Sequence, residues 1–360
     1  MRRIKDDLAE AQARTNDWWD NRRSDRALIQ VKGRLEEPWF KVPIRTAESL
    51  HAYWTDPDVV MPRILNELGS TWYGGEAFPV LSPVPGRIVS ITAKYLGAPN
   101  VYVDDQTTWS EPIIDDWSDP PSLDWNPENE WWSITRRNLQ ACADEVRRRD
   151  LECFIGHPDL NGPTEVLAGL RNPEKLCMDL VMEPDTVKRA ARKVQDAWYE
   201  AWKGVREITA PFGGCFTFMG LWSDQEAPDL QSDFSSLISP AMFAEFMLPL
   251  IREQAERFPR SVFHLDGPDM VRHLDLLLSV EEINAIQWVE GAGAGPVSRW
   301  TDLMRRIQDG GKALYVYCEP WEVPILLKNL SHQGLMMVVT DVLPLHEARE
   351  LLKDVERRRA

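Results

Sequence analysis

The chain has 360 residues, a formal charge of −16 and an ordinary hydrophobic fraction of 43%. That length can bury one large core, since a single α/β barrel runs to roughly 250 residues before insertions. So negative a balance argues against a nucleic-acid partner, and no stretch approaches the roughly 20 apolar residues that a membrane span needs.

Residues 1–25 read as a polar helix without the apolar stretch of a secretory signal, which predicts a cytoplasmic protein. The cysteines at 142, 153, 177, 215 and 318 are odd in number and widely spaced, as expected of reduced thiols. We expect residues 1–26 to form a helical extension and 27–360 to form the body of the molecule. The apolar run 27–33, ended by glycine, predicts a first strand, and 47–68 predicts a helix. From 70 to 135 the chain is rich in Gly, Pro, Asp and Trp, and reads as long loops around one strand at 101–103.

After 135 the rhythm becomes regular. Strands are predicted at 152–156, 214–219, 261–264, 285–289, 313–317 and 335–339. Helices are predicted at 133–149, from 164, and at 184–206, 240–257, 268–279, 298–309, 321–329 and 345–357, with Pro249 kinking the helix that contains it. Short apolar strands alternating with helices imply parallel strands joined by right-handed crossovers. About eight of them suit a closed (β/α)8 barrel with an N-terminal helical extension and long Trp-rich loops. No Gly-x-Gly-x-x-Gly turn supports an open doubly wound sheet.

Barrels place chemistry where strands end. The predicted strand ends carry Asp104 and Asp105, His157 and Asp159, Trp222 with Asp224 and Asp233, His264 and Asp266, Glu290, Cys318, and Asp341. Carboxylates that converge on one mouth repel, and a cation or bound protons must relieve them. His264 and Asp266 are two apart on a strand and share a side, so they can offer N and O to one ion. Glu290 and Cys318, from the next two strands, complete an expected zinc shell of His264, Asp266, Glu290 and Cys318. His273 and His346 fall on predicted helices and read as surface residues. The sixteen tryptophans could wall a pocket. Trp109, Trp222 and Trp288, with His157 and Asp233, are the candidate substrate contacts, and Asp104, Asp105, His264 and Asp266 the candidate catalytic groups.

Several segments are similar to the uroporphyrinogen decarboxylase and cobalamin-dependent methyltransferase superfamily. Leu160-Asn161-Gly162-Pro163 with Leu170-Arg171-Asn172-Pro173-Glu174 resembles its third-strand loop. Asp233-Phe234-Ser235 with Ile238-Ser239-Pro240 resembles the next segment, and Phe263-His264-Leu265-Asp266-Gly267 with Ile286-Gln287-Trp288 resembles a bacterial branch. The resemblance spans about residues 70–355 and implies a distorted (β/α)8 barrel with its site at the C-terminal mouth. It implies either of two reactions. One is methyl transfer between a partner corrinoid protein and a small methylated substrate or thiol, with zinc held through His264. In that family a cysteine stands where this chain has Asp266, and no cysteine lies near Thr340. The other is cofactor-free decarboxylation, with Asp104 or Asp105 stabilising charge and Arg87 or Arg171 pairing a carboxylate. The decarboxylases' Arg-Gln-Ala-Gly-Arg motif is absent, and an acidic mouth opposes a polyanionic porphyrinogen. A non-catalytic binder of a cationic or corrinoid ligand is a third reading, and a homodimer is an expectation from the resemblance.

Overall fold

A computed structural model describes residues 2–22, 25–83, 90–105 and 107–358. In chain order the strands are β1 (Leu28–Arg34), β2 (Thr71–Gly75), β3 (Val80–Leu81), β4 (Asn100–Tyr102), β5 (Thr108–Ser110), β6 (Phe154–Ile155) and β7 (Cys215–Phe216). They continue as β8 (Trp222–Ser223), β9 (Asp229–Gln231), β10 (Val262–Asp266), β11 (Ala285–Val289), β12 (Ala313–Cys318) and β13 (Leu335–Pro344). The main sheet runs β2-β1-β13-β12-β11-β10-β9, parallel throughout except for the antiparallel β2 edge. Helices separate the parallel strands, giving a TIM-barrel-like α/β architecture.

The expected closed eight-stranded ladder is corrected here: among the described residues, no continuous ladder links β1 round to β9. That side is spanned by two-residue strands, the parallel pair β3–β6 and the antiparallel pair β7–β8. A single bond from His157 N–H to the Phe216 carbonyl at 2.9 Å joins the two pairs, and Glu76 N–H to the Ile29 carbonyl at 2.8 Å continues the β1–β2 pairing. The second strand is also misplaced in the sequence reading. Residues 100–102 pair with 108–110 in a separate hairpin, and the neighbour of β6 is β3. Pro79, just before β3, cannot donate to a ladder, and so short a strand leaves little alternation to read. The predicted 47–68 helix breaks at Asp56-Pro57 into Leu50–Thr55 and Pro57–Ser70. Ahead of Pro249 the predicted long helix carries a π turn at Phe243–Met247, which accommodates the missing amide proton.

Strand alternation sorts the core into two layers. Phe263, Leu265, Ile286, Trp288, Leu314, Val316 and Cys318 face the surrounding helices. Leu28, Val262, Ala285, Ala313, Tyr315 and Met336 face inward. The helix α1 (Leu8–Trp19) closes the N-terminal ends of the strands. Its Trp18 indole donates to the Gly334 carbonyl and Trp19 to the Trp222 carbonyl, both at 2.9 Å. Fully buried Glu76 locks this end. It accepts from Arg14 Nε at 2.6 Å, from Arg26 at 2.7 Å and from the Ile29 amide at 2.8 Å. Among the described residues, no helix is long and apolar enough to cross a membrane.

Candidate metal and substrate site

The register of the sheet sets a polar layer across its inner face. Gln231, His264, Gln287 and Tyr315 pair in succession from β9 to β12. Gln287 Oε1 lies 2.5 Å from His264 Nδ1. An amide oxygen can only accept, so Nδ1 carries the proton and Nε2 is left as a lone-pair donor. Asp266 lies one pleat further along β10, on the same side as His264. The turn after β9 delivers Asp233, and ligand atoms of Asp233, His264 and Asp266 lie within 4.8 Å of one another. Among the described residues, Oδ1 of Asp233 and Oδ1 of Asp266 are shielded from solvent and have no hydrogen-bond partner. Orphaned carboxylate oxygens beside a correctly tautomerised imidazole fit a cation, and one nitrogen with two oxygens is a donor set zinc accepts.

Three further carboxylates crowd this group. Asp159 accepts from Gln231 Nε2 at 2.7 Å and from the Asn161 amide at 3.0 Å. Glu165 accepts the Phe234 amide on Oε1 at 2.9 Å, while Oε2 is buried and unpartnered among the described residues. A Cβ on Gly162 would fall 2.2 Å from that Oε2 and 2.0 Å from the Gln231 carbonyl, so only glycine lets the two loops meet. Asp229 lies beneath, with Oδ1 unpartnered among the described residues. Burial, reinforced by the Asp159 charge, holds Asp229 well above the usual carboxylate range. Burial and the charge of Asp233 do the same to Glu165. Burial also raises Asp159, and lifts Asp233 to about 6 against the opposing pull of His264.

The structure gathers only part of the expected zinc shell. Cys318 is 3% exposed and faces the helices with Leu314 and Val316, while Tyr315 and Tyr317 take the inner side of β12. Burial raises its thiol pKa, which disfavours the thiolate that zinc needs. Glu290 lies past the end of β11; burial and the charges of Glu322 and Asp266 raise its pKa, but it is outside the three-residue group. Asp233, expected at the substrate, stands in that group instead.

Other expected contacts lie elsewhere. Trp288 packs outward against Trp300 with ring centroids 5.1 Å apart. Trp222 sits on the return strand β8 among Phe78, Phe154 and Phe216, under α1. Trp109 is 58% exposed on the outer hairpin. Asp104 lies in the turn of that hairpin and caps the Thr107 amide at 2.9 Å. Arg171 is engaged by Asp179 and by the Ile114 and Asp115 carbonyls, so it is not a free carboxylate clamp. Arg87 lies outside the described residues. His273, expected at the surface, is fully buried, stacked on Phe243 at 4.4 Å and bonded to the Ser235 carbonyl.

A cavity of about 460 Å³ opens beside the polar layer, lined by Asp105, His157, Phe218, Tyr317, Lys32 and Arg63 among others. The Phe218 ring, which lines the cavity, lies 6.2 Å from the His264 ring. The turn that carries Phe218 is held by Tyr315 and Tyr317, whose hydroxyls donate to the Met219 carbonyl at 2.7 and 3.0 Å. His157 bonds Thr209 at 3.1 Å and meets the Trp202 ring edge-on; burial and the Arg206 charge push its pKa down to about 3.

No protein-family model matches the sequence, and no curated protein does. The fold is similar to that of a methyltransferase from Methanosarcina mazei. That match has a TM-score of 0.62 and 11% sequence identity, and covers 96% of this chain and 98% of the other. At such identity the likeness is one of architecture.

Proposed function

We propose that the protein is a metal-dependent methyltransferase of the corrinoid-linked kind, acting on a small methylated substrate or a thiol acceptor. The observation that carries this reading is the Asp233–His264–Asp266 group, with its two orphaned aspartate oxygens. The fold likeness to a methyltransferase and the sequence resemblance support the reaction class. Zinc bound there would supply Lewis acidity, lowering the pKa of a thiol or polarising a methoxy or methylamine group.

The chain's own residues have separate tasks. Gln287 bonds Nδ1 and so fixes the His264 ring, which would leave Nε2 as the ligand nitrogen. Asp233, lifted by burial to about 6, would offer its carboxylate to a cation at neutral pH. Burial and the Asp233 charge favour the protonated form of Glu165, whose Oε1 accepts the Phe234 amide and whose Oε2 is unpartnered among the described residues. Phe218 and Tyr317 exclude water from the side that faces the cavity.

The test uses zinc-loaded protein, methylcobalamin and a panel of small thiols. Attack of thiolate sulfur on the methyl carbon forms a thioether and leaves both electrons of the Co–C bond on cobalt, as cob(I)alamin. We expect the cob(I)alamin absorbance to appear with intact protein and to be lost in His264→Ala and Asp233→Ala. Zinc-bound protein with no turnover on any thiol, and none on methoxy or methylamine donors with cob(I)alamin, would overturn the reading.

A further inference from the structure

Lys32 and Arg63 bring two cationic groups to the 460 Å³ cavity of an otherwise strongly acidic protein. Lys32 lies on the inner side of β1, two residues beyond Gln30, at the bulge where the β1–β13 register shifts. It is half-buried, and among the described residues its ammonium has no hydrogen-bond or ion-pair partner. A half-buried cation without a direct ion-pair partner can take an anion placed beside it, and partial burial strengthens such a pair. Arg63 is held differently. Its guanidinium lies 3.6 Å over the Tyr53 ring and donates from one terminal nitrogen to the Tyr53 carbonyl at 2.5 Å. Its Nε is buried and unpartnered among the described residues, and the residue lines the cavity.

The counter-charges set the class of ligand. Asp105 lines the cavity and its charge acts on Arg63, and exposed Glu67 lies at the lining too. The two carboxylates balance the two cations in formal charge, so Lys32, which has no direct partner among the described residues, offers a place for one negative charge, and a dianion such as phosphate would add repulsion from Asp105 and Glu67. Tyr53, Phe218 and Tyr317 supply ring faces and edges. A cavity of this volume suits a ligand of drug-like size or below.

We propose that this cavity is an anion-anchoring substrate subsite that takes a small aromatic molecule bearing one carboxylate, with Lys32 pairing the carboxylate and the Arg63 charge beside it. The proposal deepens the methyltransferase reading: the carboxylate end would lie at Lys32, and the ring would extend past Phe218 toward the metal triad. The subsite itself needs no metal, so the two ideas fail separately.

The experiment is a ligand-observed NMR titration of tag-free protein with benzoate, benzamide and inorganic phosphate. We expect benzoate to bind, and the isosteric neutral benzamide and inorganic phosphate to bind at least about tenfold more weakly. Lys32→Met should weaken benzoate by about tenfold or more, Lys32→Arg should keep it, and removal of metal from the unaltered protein with a chelator should leave it within about twofold. Benzamide binding as well as benzoate, Lys32→Met retaining full affinity, or no benzoate binding at millimolar concentration would each overturn the subsite. Phosphate binding above benzoate would overturn the monocarboxylate assignment. Should Lys32→Met fail to fold by thermal melting, the benzoate–benzamide ratio in the unaltered protein still decides. Benzoate retained in unaltered, chelator-treated protein that holds no zinc would support the subsite whatever becomes of the methyl-transfer reading, and benzoate lost there would contradict it.

Discussion

Replacing Asp233 by Asn in metal-free protein should raise stability at neutral pH, the opposite of the usual result of altering a site residue. Burial lifts this carboxyl from 3.8 to about 6 in the folded chain. The folded state therefore holds the proton more tightly than the unfolded one. The stabilisation this brings is complete below about pH 4 and is lost as pH rises through about 6. Across that gap, at roughly 1.4 kcal/mol per unit, the loss comes to about 3 kcal/mol, and partial solvent access trims it to about 1–2 kcal/mol. Asn carries no charge to lose and can donate toward the crowded oxygens of Glu165 and Asp266. Urea denaturation with chelator at pH 4.5 and 7.5 measures the difference. Asp233→Asn should match the unaltered protein at pH 4.5, exceed it at pH 7.5, and bind zinc more weakly. A variant less stable at pH 7.5 without metal would refute the argument that the carboxylates are mutually strained.

Other outcomes follow from the same contacts. His157 is held neutral to about pH 3, so its contribution is complete above the unfolded value of 6.5 and is lost as pH falls toward 3. His157→Gln, which can keep the Thr209 bond, should flatten acid unfolding between those limits in circular dichroism. Glu76→Gln leaves Arg14 and Arg26 without their buried counter-charge, and should cost about 3–5 kcal/mol in chemical denaturation. Cys318→Ala should leave zinc content unchanged by elemental analysis, because the thiol lies in the helix-facing layer; loss of zinc in that variant would contradict the strand parity.

The second half of the chain was legible because its strands are long enough to show their period. The predicted 285–289 strand coincides with β11, and the predicted 345–357 helix with Leu345–Arg357. The first half was not. Two-residue strands such as β3 and β7 carry no alternation, and the apolar pair Val101-Tyr102 outcompeted Val80-Leu81 for notice although it forms an outlying hairpin. His264 and Asp266 could be paired from spacing alone, because a strand fixes the face of i and i+2. Their third companion could not, because Asp233 arrives from a turn whose path depends on the inserted β7–β8 hairpin. Cys318 illustrates the converse. One residue beyond inward-facing Tyr317, parity alone sends it outward, a signal the sequence contained. Glu165 and Asp229 carried no sequence signal of their own: a glutamate in the first turn of a helix is ordinary helix capping, and only the approach of Gly162 to the Gln231 carbonyl makes it a site residue.

Elemental analysis of tag-free protein, beside the His264→Ala, Asp266→Ala and Asp233→Ala variants, tests the central claim most directly. The expected result is one zinc per chain in the unaltered protein, lost in all three variants and retained in Cys318→Ala. Protein that stays metal-free after zinc is supplied under reducing conditions, or zinc that survives all three substitutions, would contradict the metal centre.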